Sequence, residues 1–154
     1  MKLSVIGAGS FGTAMSVVAA RNNNEVVLWA HDPKVAEAIR ETHTNPFYLP
    51  NMEVPANVKP TCDLRAAATF SDVIFMIVPS HHYRNVLTQI KPLLPGPVTA
   101  VSGTKGIENE TLQRMSEISA SVLGDRLASF GALSGPTFAV ESAKGLPTAA
   151  VIAS

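Results

Sequence analysis

The sequence has a single cysteine, Cys62, so no disulfide can form within the chain. That usage suits a reducing compartment rather than a disulfide-stapled secreted domain. It also lacks an excess of either charge: 12 Lys+Arg stand against 12 Asp+Glu, a formal net charge of zero. A neutral balance leaves no footprint for nucleic acid or an anionic membrane, so any bound anion must be held locally by backbone amides and a few placed side chains. The four histidines, His31, His43, His81 and His82, have no partner cluster at ligand spacing, and no metal site is expected. Long apolar runs are missing too. The first strand-like run meets Gly7 at once, short of the roughly 7–15 apolar residues of a secretory h-region. Nothing approaches the roughly 18 residues of a membrane span. The cytoplasm is the expected location.

What is present is an alternation. The 154 residues suffice for one domain with a sizeable core and are too few for two ordinary ones. Strands are predicted at 2–6, 25–29, 58–61, 72–78, 98–102 and 128–133, with a last one beginning at 148–153. Helices are predicted at 10–22, 33–42, 63–68, 82–94, 110–123 and 138–144. The first helix should bury Ala14, Val17, Val18 and the stem of Arg21; the fifth, Leu112, Met115, Ile118 and Val122. Asp32 followed by Pro33 reads as a helix cap and first turn. Residues 43–57 show little periodicity and hold three prolines, the profile of a long ordered loop. The run 72–78, DVIFMIV, reads as a strand apolar on both faces. Strand and helix in alternation predict an α/β fold of Rossmann-like, doubly wound type, its mainly parallel sheet covered by helices on both faces. The sequence stops in a strand-like segment with no cap or polar tail, so further chain is expected beyond Ser154.

The main chemical signal is Gly7-x-Gly9-x-x-Gly12 between a strand and a helix. Gly7 allows a tight turn, Gly9 lets backbone approach a pyrophosphate, and Gly12 lets helix and strand pack closely. The free amides near Ser10 and Phe11 then face the anion with the helix dipole behind them. A NAD-selective fold places an acidic residue at the end of the second strand, about 20 residues after the glycines. Here Ala30 holds that place and His31 follows. With no carboxylate to repel a 2′-phosphate and with His31 able to donate to it, NADP(H) should be accepted. Asp32 is either the cap of the second helix or a ribose contact.

Lys105 follows the strand at 98–102, at the sheet edge where ligands of open α/β folds lie. It reads as a residue meeting cofactor and anionic substrate, or as a solvated surface lysine. Ser134-Gly135-Pro136-Thr137-Phe138 follows a later strand at the same edge, and its amides and hydroxyls suit a phosphate, a substrate hydroxyl or a helix cap. His81 and His82 read as helix-start or surface residues. Trp29 and Phe47-Tyr48 read first as packing and second as flanks of a cofactor ring.

Six segments taken together resemble one family. They are Gly7-Ala8-Gly9-Ser10-Phe11-Gly12-Thr13-Ala14, Leu28-Trp29-Ala30-His31-Asp32-Pro33, Asn45-Pro46-Phe47-Tyr48-Leu49-Pro50, Val78-Pro79-Ser80, Thr104-Lys105-Gly106-Ile107 and Ser134-Gly135-Pro136-Thr137-Phe138-Ala139. In that order they are similar to the N-terminal domain of bacterial NAD(P)-dependent glycerol-3-phosphate dehydrogenase. Phe11 departs from the tryptophan or tyrosine common at its place, and Asn24 from a usual turn residue. The resemblance implies that residues 1–154 are an NAD(P)H-binding domain. It implies interconversion of sn-glycerol 3-phosphate and dihydroxyacetone phosphate, for phospholipid synthesis, in a homodimer. By the same resemblance Ser10, Phe11, His31, Lys105 and Ala139 border the cofactor. Lys105, Gly135 and Thr137 meet the phosphorylated triose. The proton-donating lysine is implied in a C-terminal helical domain absent from this chain, because Lys144 is the only lysine after Lys105 and its context does not match. A fragment of this kind binds cofactor without efficient turnover. The competing readings are another two-domain reductase, of the β-hydroxyacid or ketopantoate type, and a non-catalytic nucleotide-sensing module.

Overall fold

The computed structural model describes residues 1–154. In chain order the elements are β1 (Lys2–Ile6), α1 (Ser10–Arg21), β2 (Glu25–Trp29), α2 (Pro33–Thr42), β3 (Thr44–Asn45), β4 (Leu49–Glu53), β5 (Val58–Thr61) and α3 (Leu64–Phe70). They continue as β6 (Val73–Met76), α4 (Ser80–Ile90), β7 (Val98–Ser102), α5 (Met115–Leu123), β8 (Leu127–Ser134), α6 (Ala139–Lys144) and β9 (Val151–Ala153). Seven strands form one sheet in the order β5-β2-β1-β6-β7-β8-β9. All neighbours run parallel except β9, which is antiparallel to β8. The chain steps outward from β1 in one direction and then, from β6, in the other. The carboxyl ends of β1 and β6 therefore flank a topological switch point.

Period-two alternation in the central strands feeds two cores. Leu3 and Val5 of β1 and Val26 and Leu28 of β2 pack with Val17 of α1 and Ile39 of α2. Ile6, Val27 and Trp29 face the other way, among Ala67 of α3 and Leu87 and Ile90 of α4. Between them Ser4, fully buried, donates from Oγ to the Ala67 carbonyl at 2.7 Å. Its polarity is thereby satisfied inside the apolar layer. Tyr83 is likewise buried, its hydroxyl 3.0 Å from Ser119 Oγ, and burial pushes its phenol pKa up.

Several segments differ from the sequence expectation: the strand expected at 72–78 spans Val73–Met76, the helix expected at 82–94 spans Ser80–Ile90, the last strand is only Val151–Ala153, and three further departures are larger. Residues 43–57 are not a plain loop: β3 and β4 form a small antiparallel hairpin apart from the main sheet. Pro50 and the left-handed Asn51 (φ 62°) break its period-two pattern. The fifth helix starts at Met115, not 110. Leu112 sits at φ 57° and is 69% exposed, so a helically spaced apolar residue lies outside the helix. In α1, Ala20 is buried while Val18 is only half-covered, and Arg21 is exposed with its guanidinium donating to the Ala143 carbonyl. Asp32 caps α2 as expected, accepting from Lys34 N at 2.9 Å.

Electrostatics braces the segment between β7 and α5. Arg84 Nε and Nη2 donate to the two carboxylate oxygens of Glu108, each at 2.8 Å, and Nη2 also reaches Gln113 Oε1 at 2.6 Å. The Arg84 guanidinium, aided by the Thr111 hydroxyl, lowers the Glu108 pKa from 4.5 to about 2. A carboxylate depressed by folding stabilises the native state above its unfolded pKa and loses that contribution as pH falls toward the folded value. The brace should therefore act fully above pH about 4.5 and fade toward about 2. In acid titrations of unfolding free energy, Glu108→Gln should flatten the slope in this window by close to one proton. An unchanged slope would assign the acid sensitivity elsewhere.

Candidate functional site

The turn from β1 into α1 is built for close backbone approach. Gly7 has φ +119°, and a Cβ on it would lie 2.1 Å from the Ile77 carbonyl oxygen. A Cβ on Gly12 would lie 1.8 Å from the Gly7 carbonyl oxygen. These two glycines are required by the protein's own packing. Gly9 is different: nothing lies within 4 Å of the position a Cβ would take. It is the N-cap of α1, in extended conformation, and no side chain caps the first turn. The amides of Ser10, Phe11 and Gly12 precede the first i→i−4 bond, from Thr13 N to the Gly9 carbonyl at 2.9 Å. Unobstructed amides at the positive end of a helix fit a phosphate group.

Two cavities meet at this turn. The larger is a cleft of about 540 Å³, within the usual range for a small-ligand site. Gly7, Ala8 and Gly9 form its floor on one side, and Ala30, His31 and Asp32 at the end of β2 form another wall. Ala30 is 1% exposed and packs into the core, so the outward-facing residue at this strand end is His31, beside the Trp29 ring at 5.9 Å. Asp32 fulfils its capping role and also borders the cleft. Trp29 is core, with Nε1 donating to the Cys62 carbonyl at 3.2 Å, yet its edge lines the cleft. Tyr48 lines it as well, whereas Phe47 is an exposed loop residue.

The smaller cavity, about 270 Å³, lies on the far side of the turn. Ser10 and Phe11 form one wall; Lys105, Gly135, Thr137 and Ala139 are in the others. Lys105 is exposed, and its Nζ reaches Ser134 Oγ at 3.3 Å. The backbone beside it is fixed, because Thr104 Oγ1 donates to the Val78 carbonyl at 2.7 Å. Residues 134–137 are held from behind. Thr137 Oγ1 donates to the Ala149 carbonyl at 2.8 Å, and Gly135, at φ +134°, would carry a Cβ 2.6 Å from that same oxygen. One ammonium thus stands among polar backbone, between the glycine turn and the Ser134–Thr137 loop.

Of the residues singled out from the sequence, Gly7, Gly9, Trp29, His31, Asp32, Tyr48 and His82 line the larger cleft, and Ser10, Phe11, Lys105, Gly135, Thr137 and Ala139 the smaller cavity; Gly12 packs beneath the turn, and Phe47 and His81 line neither. His81 and His82 both lie in the first turn of α4, but only His82 lines the cleft. Sequence reading missed Asn85 and Gln89, which with His82 and Val86 face the cleft. Their i, i+3, i+4, i+7 spacing marks one helix face and could have found them. Asn45, which the sequence offered only as part of a resembling segment, is fully buried and bonded to the glycine turn.

Known proteins agree with this arrangement. The family model described as NAD-dependent glycerol-3-phosphate dehydrogenase N-terminus matches residues 2–154. Glycerol-3-phosphate dehydrogenase [NAD(P)+] of Enterobacter sp. (strain 638) is 44% identical over 152 residues, covering 99% of this chain and 44% of that protein. The chain thus spans less than half the length of such curated relatives. The crystal structure of glycerol-3-phosphate dehydrogenase from Coxiella burnetii superposes with a TM-score of 0.91 at 34% identity, over 98% of this chain and 46% of that one. The enzyme from Saccharomyces cerevisiae gives 0.83 at 28% identity, over 99% and 47%. No helix here is long and apolar enough to cross a membrane. With the glycine turn, the lysine loop and the Ser-Gly-Pro-Thr loop all inside the matched region, the chain belongs to the NAD-dependent glycerol-3-phosphate dehydrogenase N-terminal family.

Proposed function

We propose that this chain is the NAD(P)(H)-binding domain of an oxidoreductase interconverting sn-glycerol 3-phosphate and dihydroxyacetone phosphate, which supplies glycerol 3-phosphate for phospholipid synthesis. The observation that carries the reading is a pair of cavities bordering the two sides of one uncapped helix start, the smaller of them lined by Lys105. The dinucleotide spans both. Gly7, Gly9, Ser10, Phe11 and Gly12 receive its pyrophosphate, His31 meets the adenosine ribose, and Ala139 and Lys105 border its nicotinamide end. Lys105, Gly135 and Thr137 hold the phosphorylated triose. When bound, the nicotinamide supplies or accepts the hydride.

The chain's own groups position and neutralise. Backbone amides fix the pyrophosphate without a counter-charge from the side chains around Gly9. The Lys105 ammonium balances charge that grows on the substrate oxygen. Reduction of a carbonyl leaves an alkoxide that needs a proton donor. Lys144, on α6, is not among the residues lining the smaller cavity. We assign the donor to a C-terminal helical domain, which the greater length of the relatives supports. The full enzyme works as a homodimer in the cytoplasm, and the neutral charge balance supports a reading without nucleic acid.

The first test is calorimetric titration of the chain with NADH and NADPH. Saturable heat with at least one is expected; no heat with either sinks the reading. For the full-length enzyme, failure to oxidise both NADH and NADPH with dihydroxyacetone phosphate sinks the substrate assignment. Selectivity gives a sharper prediction. His31→Asp places a carboxylate at the outward-facing strand end, where it repels a 2′-phosphate. NADPH affinity should fall about tenfold more than NADH affinity, about 1.4 kcal/mol, which lies between the repulsion of like charges in bulk water and that near a protein surface. Equal losses would mean that the 2′-phosphate lies elsewhere.

A further inference from the structure

The β3–β4 hairpin gives Tyr48 to the wall of the larger cleft, and it also sends one fully buried polar side chain into the glycine turn. Asn45 is 0% exposed. Its Nδ2 donates to the Ala8 carbonyl at 3.0 Å and to Thr13 Oγ1 at 2.8 Å. Thr13 Oγ1 donates in turn to the same Ala8 carbonyl at 3.4 Å. On its other side, Asn45 Oδ1 accepts from Tyr48 N at 3.2 Å, within its own hairpin. Both Asn45 N–H bonds are therefore committed to the turn and the start of α1.

The oxygen they converge on is the middle carbonyl of Gly7-Ala8-Gly9. A peptide unit is planar and trans, so its carbonyl and the next N–H point in opposite directions. Fixing the Ala8 carbonyl toward the hairpin fixes the Gly9 N–H away from it. Of the three glycines of this motif, Gly9 is the one with no atom within 4 Å of its Cβ direction. Tertiary hydrogen bonds to one carbonyl thus hold the amide at the mouth of the cradle in a single orientation.

We propose that Asn45 is a positioning residue for dinucleotide binding: it acts through the Ala8–Gly9 peptide to preset the amide that meets the pyrophosphate. The proposal rests on the assignment of the glycine turn to that pyrophosphate. Asparagine suits the task because it offers two donors to the turn and one acceptor to the hairpin. An aspartate of the same shape would set a carboxylate oxygen against the Ala8 carbonyl. Preorganisation lowers the cost of ordering the loop when an anion arrives, so its loss appears in affinity for ligands that use the loop.

The test compares two ligands by calorimetry or NMR titration of the 154-residue chain: NADH, which has a pyrophosphate, and 2′-AMP, which does not. Asn45→Ala should weaken NADH about tenfold, the scale of a charge-assisted hydrogen bond, and leave 2′-AMP within about twofold. Thr13→Ala removes the other side-chain partner of Ala8 at a site where alanine favours helix. It should weaken NADH about threefold with the same selectivity. If Asn45→Ala fails to fold, Thr13→Ala carries the test alone. Unchanged NADH affinity in a folded variant, or equal loss for both ligands, overturns the positioning role. A wild-type chain that binds no NADH overturns instead the pyrophosphate assignment beneath it.

Discussion

Gly9→Ala and Gly12→Ala should part company, although both add one methyl to the same turn. At Gly12 the new Cβ would meet the Gly7 carbonyl oxygen at 1.8 Å, a backbone atom with no room to retreat. Helix propensity favours alanine there by about 1 kcal/mol. The clash outweighs it: overpacking typically costs about 1–3 kcal/mol, and a 1.8 Å approach to backbone belongs at or above the upper end of that range. Gly12→Ala should therefore lower the urea midpoint sharply and abolish dinucleotide binding together. Gly9 sits at φ −71°, ψ −174°, an extended backbone open to alanine, with free space ahead of it. Gly9→Ala should keep or slightly raise stability, by up to about 1 kcal/mol through the unfolded state. Its methyl nonetheless stands where a phosphate must approach. A loss of NADH affinity of about a hundredfold or more is expected, near the 2.7 kcal/mol scale of a buried charge-assisted contact. A Gly9→Ala protein that binds NADH like wild type would remove the phosphate from this turn. A Gly12→Ala protein more stable than wild type would mean that the third glycine is not a packing residue.

Lys105→Ala should do the reverse of Gly12→Ala, sparing the fold and crippling turnover. The side chain is exposed and its recorded partner is the Ser134 hydroxyl at 3.3 Å. Surface changes of this kind shift stability by no more than about 0.5 kcal/mol. In the full-length enzyme the same change removes the lysine cation that lines the smaller cavity. Deleting one preorganised charge or donor at a developing oxyanion costs roughly 10²–10³ in kcat. Lys105→Arg should recover little, because a planar guanidinium does not replace a compact ammonium in a 270 Å³ cavity. Dihydroxyacetone phosphate reduction and thermal melting, measured on the same preparations, separate the outcomes. A fall in melting temperature with activity preserved would make Lys105 a structural residue.

The parts of this domain that could be read from its sequence are those set by local rules. β1, β2 and β7 fall on their expected residues because each is a short, largely apolar run closed by a turn signal; β5, VKPT, also falls on its expected residues. The Asp32-Pro33 and Asp63 helix starts are equally local, and the structure shows each aspartate accepting from an amide two residues on. The misses are nonlocal. Residues 110–114 read as helical by spacing, yet Arg84, from another element, holds Glu108 and Gln113 in a different path. The hairpin at 44–53 has a two-residue strand and a left-handed Asn51, too little for a period-two pattern. The site divides the same way. Its glycine turn is a motif with a mechanism, whereas the bonds of Asn45 join residues 37 and 32 positions apart. No window along the chain contains that contact.

The double position of Asp32 has a consequence for anyone redesigning coenzyme preference. Its carboxylate holds the first turn of α2 and also borders the larger cleft. Recruiting it to grip a ribose diol would uncap the helix, and losing such a cap costs typically about 1 kcal/mol. Retuning at this corner is therefore coupled to folding. Variants that exchange one nicotinamide coenzyme for the other through Asp32 will need a compensating stabiliser elsewhere, while the neighbouring His31 can be altered with no such debt to the helix.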